Sequence, residues 1–162
     1  MIKVRLYKED DSLLERAISA LTNRLYFKAS VILYSSIEIT ASRYEIDTKQ
    51  SGDTNPGVSY GAVDKVYKSK YVEFIFKLSD KGKEQISNYY RETKDKEYSY
   101  LQELGFNTKN GISSTMYIID ILKHIGVLNK NNTKDTFLDG TLKTTDELYF
   151  HLITLIGRTG HV

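Results

Sequence analysis

The sequence contains no cysteine and no tryptophan, and Pro56 is its only proline. The missing thiols exclude disulfides, thiolate metal sites and a cysteine nucleophile together. Excess charge is also lacking. Lys and Arg number 23 against 21 Asp and Glu, and a net of +2 makes no case for nucleic-acid binding by overall charge. No apolar run approaches the length of about eighteen residues that a membrane span requires, and MIKVRLYKEDD has no signal-peptide core. A cytoplasmic chain with no membrane partner is expected. The glycines at 52, 57 and 61 precede no Lys-Ser or Lys-Thr at a helix start, so no phosphate loop is expected either.

What is present describes a globular protein. Of 162 residues, 40% are hydrophobic and 27% charged, enough for a core and too apolar for general disorder. The length fits a single domain spanning 1–162, or alternatively two small subdomains, 1–95 and 96–157. Frequent Lys, Ile, Tyr and Asn suit an AT-rich coding genome, as in a low-GC bacterium or its phages.

The stretch from Tyr71 to Tyr90 carries two periods. Val72, Phe74, Phe76 and Leu78 alternate with Tyr71, Glu73, Ile75 and Lys77, which predicts a core strand. Ser79 and Asp80 then offer a cap for a helix containing Ile86, Tyr89 and Tyr90. At the N-terminus, Ile2, Val4 and Leu6 alternate with Lys3, Arg5 and Tyr7 as a short edge strand. Ser12 and Glu15 form a capping box before Leu14, Ile18, Leu21 and Leu25 at helical spacing.

Between Tyr26 and Ile46 the β-branched residues Val31, Ile32, Ile37, Ile39 and Thr40 admit a buried helix or a strand. The length, and the helical spacing of Ala29, Ile32, Leu33, Ile37 and Ala41, select a helix. Residues 47–61 concentrate Gly, Ser, Asp, Asn and Pro56 and predict a loop. Alternation of Val63, Lys65 and Tyr67, with a turn at 68–70, predicts a hairpin onto the strand at Tyr71. Downstream, 91–105 is helix-forming, Ile112–Ile125 is an amphipathic helix ending at Gly126, and Thr144 with Glu147 caps a last helix carrying Leu148, Leu152, Leu155 and Ile156.

KLSDKGKEQI resembles the segment that closes many winged-helix DNA-binding domains, through Leu78, Ser79, Gly82 and Ile86. The resemblance covers roughly a tenth of the chain. It implies an α+β fold, mostly helical with a small antiparallel sheet, that binds duplex DNA. LLERAISALTNRLYFKASVILYSSIE is similar to the opening of HEPN-type helical bundles. Ribonucleases of that family carry an Arg followed four to six residues later by a His, whereas Arg158 and His161 here are three apart. That departure implies a relative without HEPN catalysis.

Chemistry is sparse. His124, His151 and His161 are too dispersed for a local metal motif, so no metal and no cofactor are expected. Glu45, Asp47 and Lys49 resemble half of a metal-dependent nuclease site, but no upstream acidic partner is identifiable. The chain is expected not to be an enzyme. Residues 64–83 hold a local net charge of +3, with Lys65, Lys68, Lys70 and Lys81 as candidate phosphate contacts. Ser113, Ser114, Thr115, Tyr117 and Lys123 are candidates to approach bases from a helix. Thirteen tyrosines supply another option, with Tyr60, Tyr67 and Tyr71 as candidate protein-interface residues. Two functions lead, a DNA-binding regulator of a phage or mobile element, with a homodimer as an option, or an inhibitor that occludes a host defence protein without catalysis, and a metal-dependent nuclease is the third.

Overall fold

The computed structural model describes residues 1–8, 16, 20, 23–42, 57–62, 70–103, 106, 108–128 and 143–159. Their architecture is α+β: one antiparallel sheet with helices packed on one of its faces. The strands are β1 (Ile2–Lys8), β2 (Tyr26–Leu33), β3 (Ile37–Ser42), β4 (Gly57–Ala62) and β5 (Tyr71–Phe76). Their order across the sheet is β4-β3-β2-β1-β5. The helices are α1 (Asp80–Thr93), the single turn α2 (Tyr100–Glu103), α3 (Ser114–His124) and α4 (Thr145–Thr159).

The alternation in β1 decides which face the helices cover. Ile2, Val4 and Leu6 are fully buried, and the register sets Val4 opposite Val31 on one side and opposite Phe74 on the other. Ala29, Leu33, Ile39 and Ala41 continue this apolar face through β2 and β3. Because β1 is paired on both sides, the expectation of an N-terminal edge strand is corrected. β5 joins the sheet from far along the chain and takes the edge.

The segment expected to be one helix from Tyr26 to Ile46 holds two strands, β2 and β3. They meet in a turn where Tyr34 and Ser35 both have positive φ, 52° and 62°, and the Ser36 amide donates to the Leu33 carbonyl at 3.1 Å. Such a turn suits the twist of a hairpin, but normally uses Gly or Asn at these positions. The usual turn residues are absent, which is why periodicity pointed the wrong way. The loop expected over 47–61 is likewise corrected at its end, since Gly57–Ala62 pairs with β3 along its whole length. Val58 and Tyr60 from this strand pack against the core.

Helix ends follow their caps. The Ser79 hydroxyl accepts from the Gly82 amide at 3.1 Å, and Ser113 accepts from the Met116 amide at 3.1 Å. At α4 the Thr144 amide donates to Glu147 Oε2 at 2.6 Å while Thr144 Oγ1 accepts from the Glu147 amide at 3.3 Å, the reciprocal box expected there. The Ser12 and Glu15 box lies outside the described residues. Gly126, with φ of 76°, closes the end of α3, a conformation that costs a non-glycine side chain strain.

α3 is the central helix. Tyr117, Ile118, Ile119, Ile121 and Leu122 are buried against β2 and β3, and α1 and α4 flank them. Residues before and after position 95 thus contribute to one hydrophobic cluster. The Tyr117 hydroxyl meets Thr93 Oγ1 at 2.8 Å, and burial first of all pushes its pKa up to about 12. It remains a phenol at any physiological pH.

Of the core expected in β5, Phe74 is buried at 7% exposure and Val72, Phe76 and Leu78 are partly buried against the cluster. The Phe74 ring meets Tyr149 edge-on, centroids 6.0 Å apart. Replacing Phe74 by Ala removes a ring from between β1 and α4 and is expected to cost about 3 to 5 kcal/mol, measured by chemical denaturation.

Candidate functional site

Most residues expected to read DNA are used inside the fold. Ser113, Ser114, Thr115 and Tyr117 are buried. Ser113 caps α3, Ser114 Oγ accepts from the Ala29 amide at 3.1 Å, and Thr115 Oγ1 meets Thr145 Oγ1 at 2.6 Å. Their small polar side chains let α3 sit close on β2, and this corrects the expectation that they face outward. Lys123 is half-buried on α3 and Lys81 is exposed on α1.

The first arm of the expected hairpin and most of its turn, residues 63–69, lie outside the described residues. β4 and β5 occupy opposite edges of the sheet, so Ala62 and Tyr71 do not join neighbouring strands. Lys65, Lys68 and Tyr67 lie outside the described residues, as do Glu45, Asp47 and Lys49. Lys70 is exposed, and its carbonyl accepts from the Lys8 amide at 2.7 Å. Tyr60 is half-buried and its ring lies tilted against Tyr90 with centroids 4.8 Å apart. Tyr71 is 46% exposed.

The face of the sheet opposite the helices carries a polar network. Glu73 on β5 receives Arg5 Nε at 2.8 Å and Lys3 Nζ at 3.1 Å from the neighbouring strand. The Arg5 guanidinium lies 4.2 Å from the Tyr71 ring centroid. The Tyr7 hydroxyl donates to Glu38 Oε1 at 2.6 Å across β2, and both residues are buried. Desolvation, then the negative charge of Glu38, pushes the Tyr7 phenol well above its ordinary pKa. A phenol held protonated and sealed from substrate is no general base or nucleophile. The network ties strands together.

Gly57-Val58-Ser59-Tyr60-Gly61 spells the Gly-x-Ser-x-Gly of hydrolase nucleophile elbows. The motif requires a sharp strand-to-helix turn. Here Ser59 is in the middle of β4, paired with Thr40 of β3, so the letters carry no elbow. Among the described residues no group of three or more His, Asp or Glu could hold a metal, and no helix is long and apolar enough to cross a membrane.

The outer side of α4 is different, because two of its large apolar side chains are exposed. Asp146, Phe150 and Ile153 recur at helical spacing on one stripe. Phe150 is 65% and Ile153 44% exposed. At the head of the stripe the Asp146 carboxylate accepts the Leu25 amide at 3.1 Å and the Tyr26 amide at 2.8 Å. These bonds pin Leu25, itself 63% exposed, beside the helix. Beneath, Tyr149 stacks on Tyr26 at 4.8 Å and meets Phe150 edge-on at 5.5 Å. Sequence reasoning followed Leu148 and Leu152 inward and passed over Phe150 and Ile153, whose only signal was that they fall outside that buried stripe. The Asp146 contact joins residues over a hundred positions apart and left no local signal.

Compared with models of protein families, with curated proteins and with solved structures, the chain matches none.

The Glu73 cluster has a pH signature. Burial alone would raise the Glu73 pKa, but hydrogen bonds and positive charge from Arg5 and Lys3 outweigh it and hold it below the ordinary 4.5. A depressed folded value means that the contribution to stability is complete above the unfolded pKa and is lost as pH falls through the lower folded one. Unfolding stability is therefore expected to decline below about pH 4.5, and Glu73→Gln is expected to flatten that decline while leaving a smaller stability at neutral pH. Denaturant titrations of both proteins from pH 3 to 7 measure it.

Proposed function

We propose that this protein is a binding module that occludes the surface of a partner protein and has no catalysis of its own. What carries the proposal is the Leu25, Phe150 and Ile153 face, with Leu25 and Phe150 each more than 60% exposed on a framework held by Asp146. Exposed apolar side chains scattered singly need no explanation, whereas Phe150 and Ile153 share one stripe of α4 and the Leu25 backbone is tethered to Asp146 at its head. A ring and two aliphatic chains held in place lose little entropy on docking and serve as anchors. Asp146 and the exposed Glu147 border the face, so the complementary surface is an apolar pocket beside a basic group. In a phage or mobile element, as expected from composition, such a partner would be a host defence protein.

Binding of nucleic acid through phosphates is a second proposal, supported by one observation. Lys8 and Lys70 are exposed side by side at one end of the sheet, and Lys28 is opposite Tyr7 in the same region. Lys68 and Lys65 precede Lys70 in the chain. Contacts from such a cluster add salt-dependent affinity without sequence readout.

Capture from a nuclease-treated lysate, followed by titration of the captured protein, separates the two. Phe150→Glu is expected to weaken a protein partner by about 2 kcal/mol or more, as removal of an anchor does, with melting unchanged. Nucleic-acid binding predicts instead that Lys65→Ala, Lys68→Ala and Lys70→Ala together lower the salt slope by about 0.9 for each phosphate no longer neutralised. Duplex affinity weaker than about 10⁻⁴ M at physiological salt would remove that alternative.

A further inference from the structure

Among the described residues the two edges of the sheet are not equally protected. At β4 the chain covers its own edge, since the Val58 amide donates to the Lys96 carbonyl at 3.3 Å and Gly57 bridges to Glu97. A Cβ on Gly57 would lie 2.8 Å from the Lys96 carbonyl oxygen, so the approach is close. Among the described residues no strand pairs with the outer edge of β5.

The usual edge defences are also missing from β5. Natural edges carry prolines, bulges, lysines or inward-pointing charges that discourage another strand. Tyr71–Phe76 has no proline or lysine, and its six pairs with β1 run without a register shift, whereas the β1–β2 ladder shifts at Tyr7 and Lys8. Its one charge, Glu73, is turned back along the sheet onto Arg5 and Lys3. Two large side chains of β5 on the polar face remain exposed, Tyr71 at 46% and Ile75 at 39% exposure.

We infer that β5 pairs antiparallel with β5 of a second copy of this chain, in a two-fold dimer centred on Ile75. A two-fold axis normal to the sheet keeps the polar faces of both copies on one side. Residues directly opposed across an antiparallel junction point to the same face, so the junction is centred on a single residue. Centred on Glu73, it would oppose two carboxylates, which is unfavourable. Centred on Phe74, it would set Glu73 against Ile75. Centred on Ile75, it sets Ile75 on its own copy, Phe74 opposite Phe76, and Glu73 opposite Lys77 of the second copy, twice over. That register alone pairs opposite charges and buries the exposed isoleucine. The pairing extends the sheet from five strands to ten and is independent of the α4 face.

Sedimentation across a dilution series of the purified full chain tests the dimer without any other partner. A mass twice 18.6 kDa is expected at the concentrated end. Lys77→Glu opposes like charges at both ends of the junction, and Ile75→Lys opposes two cations at its centre. Each is expected to weaken self-association by roughly tenfold or more with melting unchanged. Mixing Ile75→Lys with Ile75→Glu is expected to restore association, since only an Ile75-centred junction brings the two variants face to face. Phe150→Glu leaves the dimer intact, so failure of partner binding and failure of dimerisation are read apart. A monomer at every concentration overturns the inference, as does association that survives Ile75→Lys and Lys77→Glu, or a mixture that stays monomeric.

Discussion

The antiparallel pairing of β1 with β2 on one side and β5 on the other is the constraint on which the remaining structure rests. It brings Ile2, Val4 and Leu6 into line with Leu33, Val31 and Ala29, and with Phe76, Phe74 and Val72. A slip of one residue in either ladder would turn this row to the opposite face and put Lys3 and Arg5 beneath the helices. Burial of one row and ionic pairing of the other therefore select the same register. With that face assembled, α3 has an apolar floor, and α1 and α4 pack beside it.

The second face of the sheet shows how buried polarity is tolerated here. Glu38 is a nearly inaccessible carboxylate, and its partner is the Tyr7 hydroxyl, which its presence helps to keep protonated. Thr40 Oγ1 donates to the Ala29 carbonyl at 2.7 Å, and Arg5 is both bonded to Glu73 and stacked on Tyr71. Each group is engaged with another strand, Tyr7 with Glu38 across the intervening β2. Buried polar groups that are paired in this way specify strand neighbours more than they add net stability.

Polarity that is satisfied internally is not available for chemistry, and this shapes the functional proposal. The titratable groups brought close together hold the sheet, while large apolar side chains stay exposed on α4 and β5. A surface of that kind suits recognition, because the free energy it offers comes from removing exposed rings and aliphatic chains from water. The α4 face and the β5 edge are separate surfaces with different requirements. As proposed, one would need a pocket on a partner, and the other a free strand in matching register.

The sequence by itself determined the features that depend on residues within one turn of each other. Alternation placed β1 and β5, Ser79 capped α1, Thr144 with Glu147 capped α4, and the apolar spacing of Ile112–Ile125 predicted α3. Tertiary structure decided the rest. Tyr26–Ile46 has β-branched residues that serve a buried helix or a buried strand equally, and the choice fell to pairing with β1, which lies about twenty residues earlier. Gly57–Ala62 reads as a loop until β3 supplies its ladder, and Ser113, Ser114 and Thr115 read as a polar helix face until β2 covers them. Asp146 gained its role only when Leu25 and Tyr26 arrived beside it. The physical reason is common to all four: caps and periodicity are local, whereas strand identity and burial come from contacts with residues far along the chain, whose free energy exceeds the small differences in local propensity.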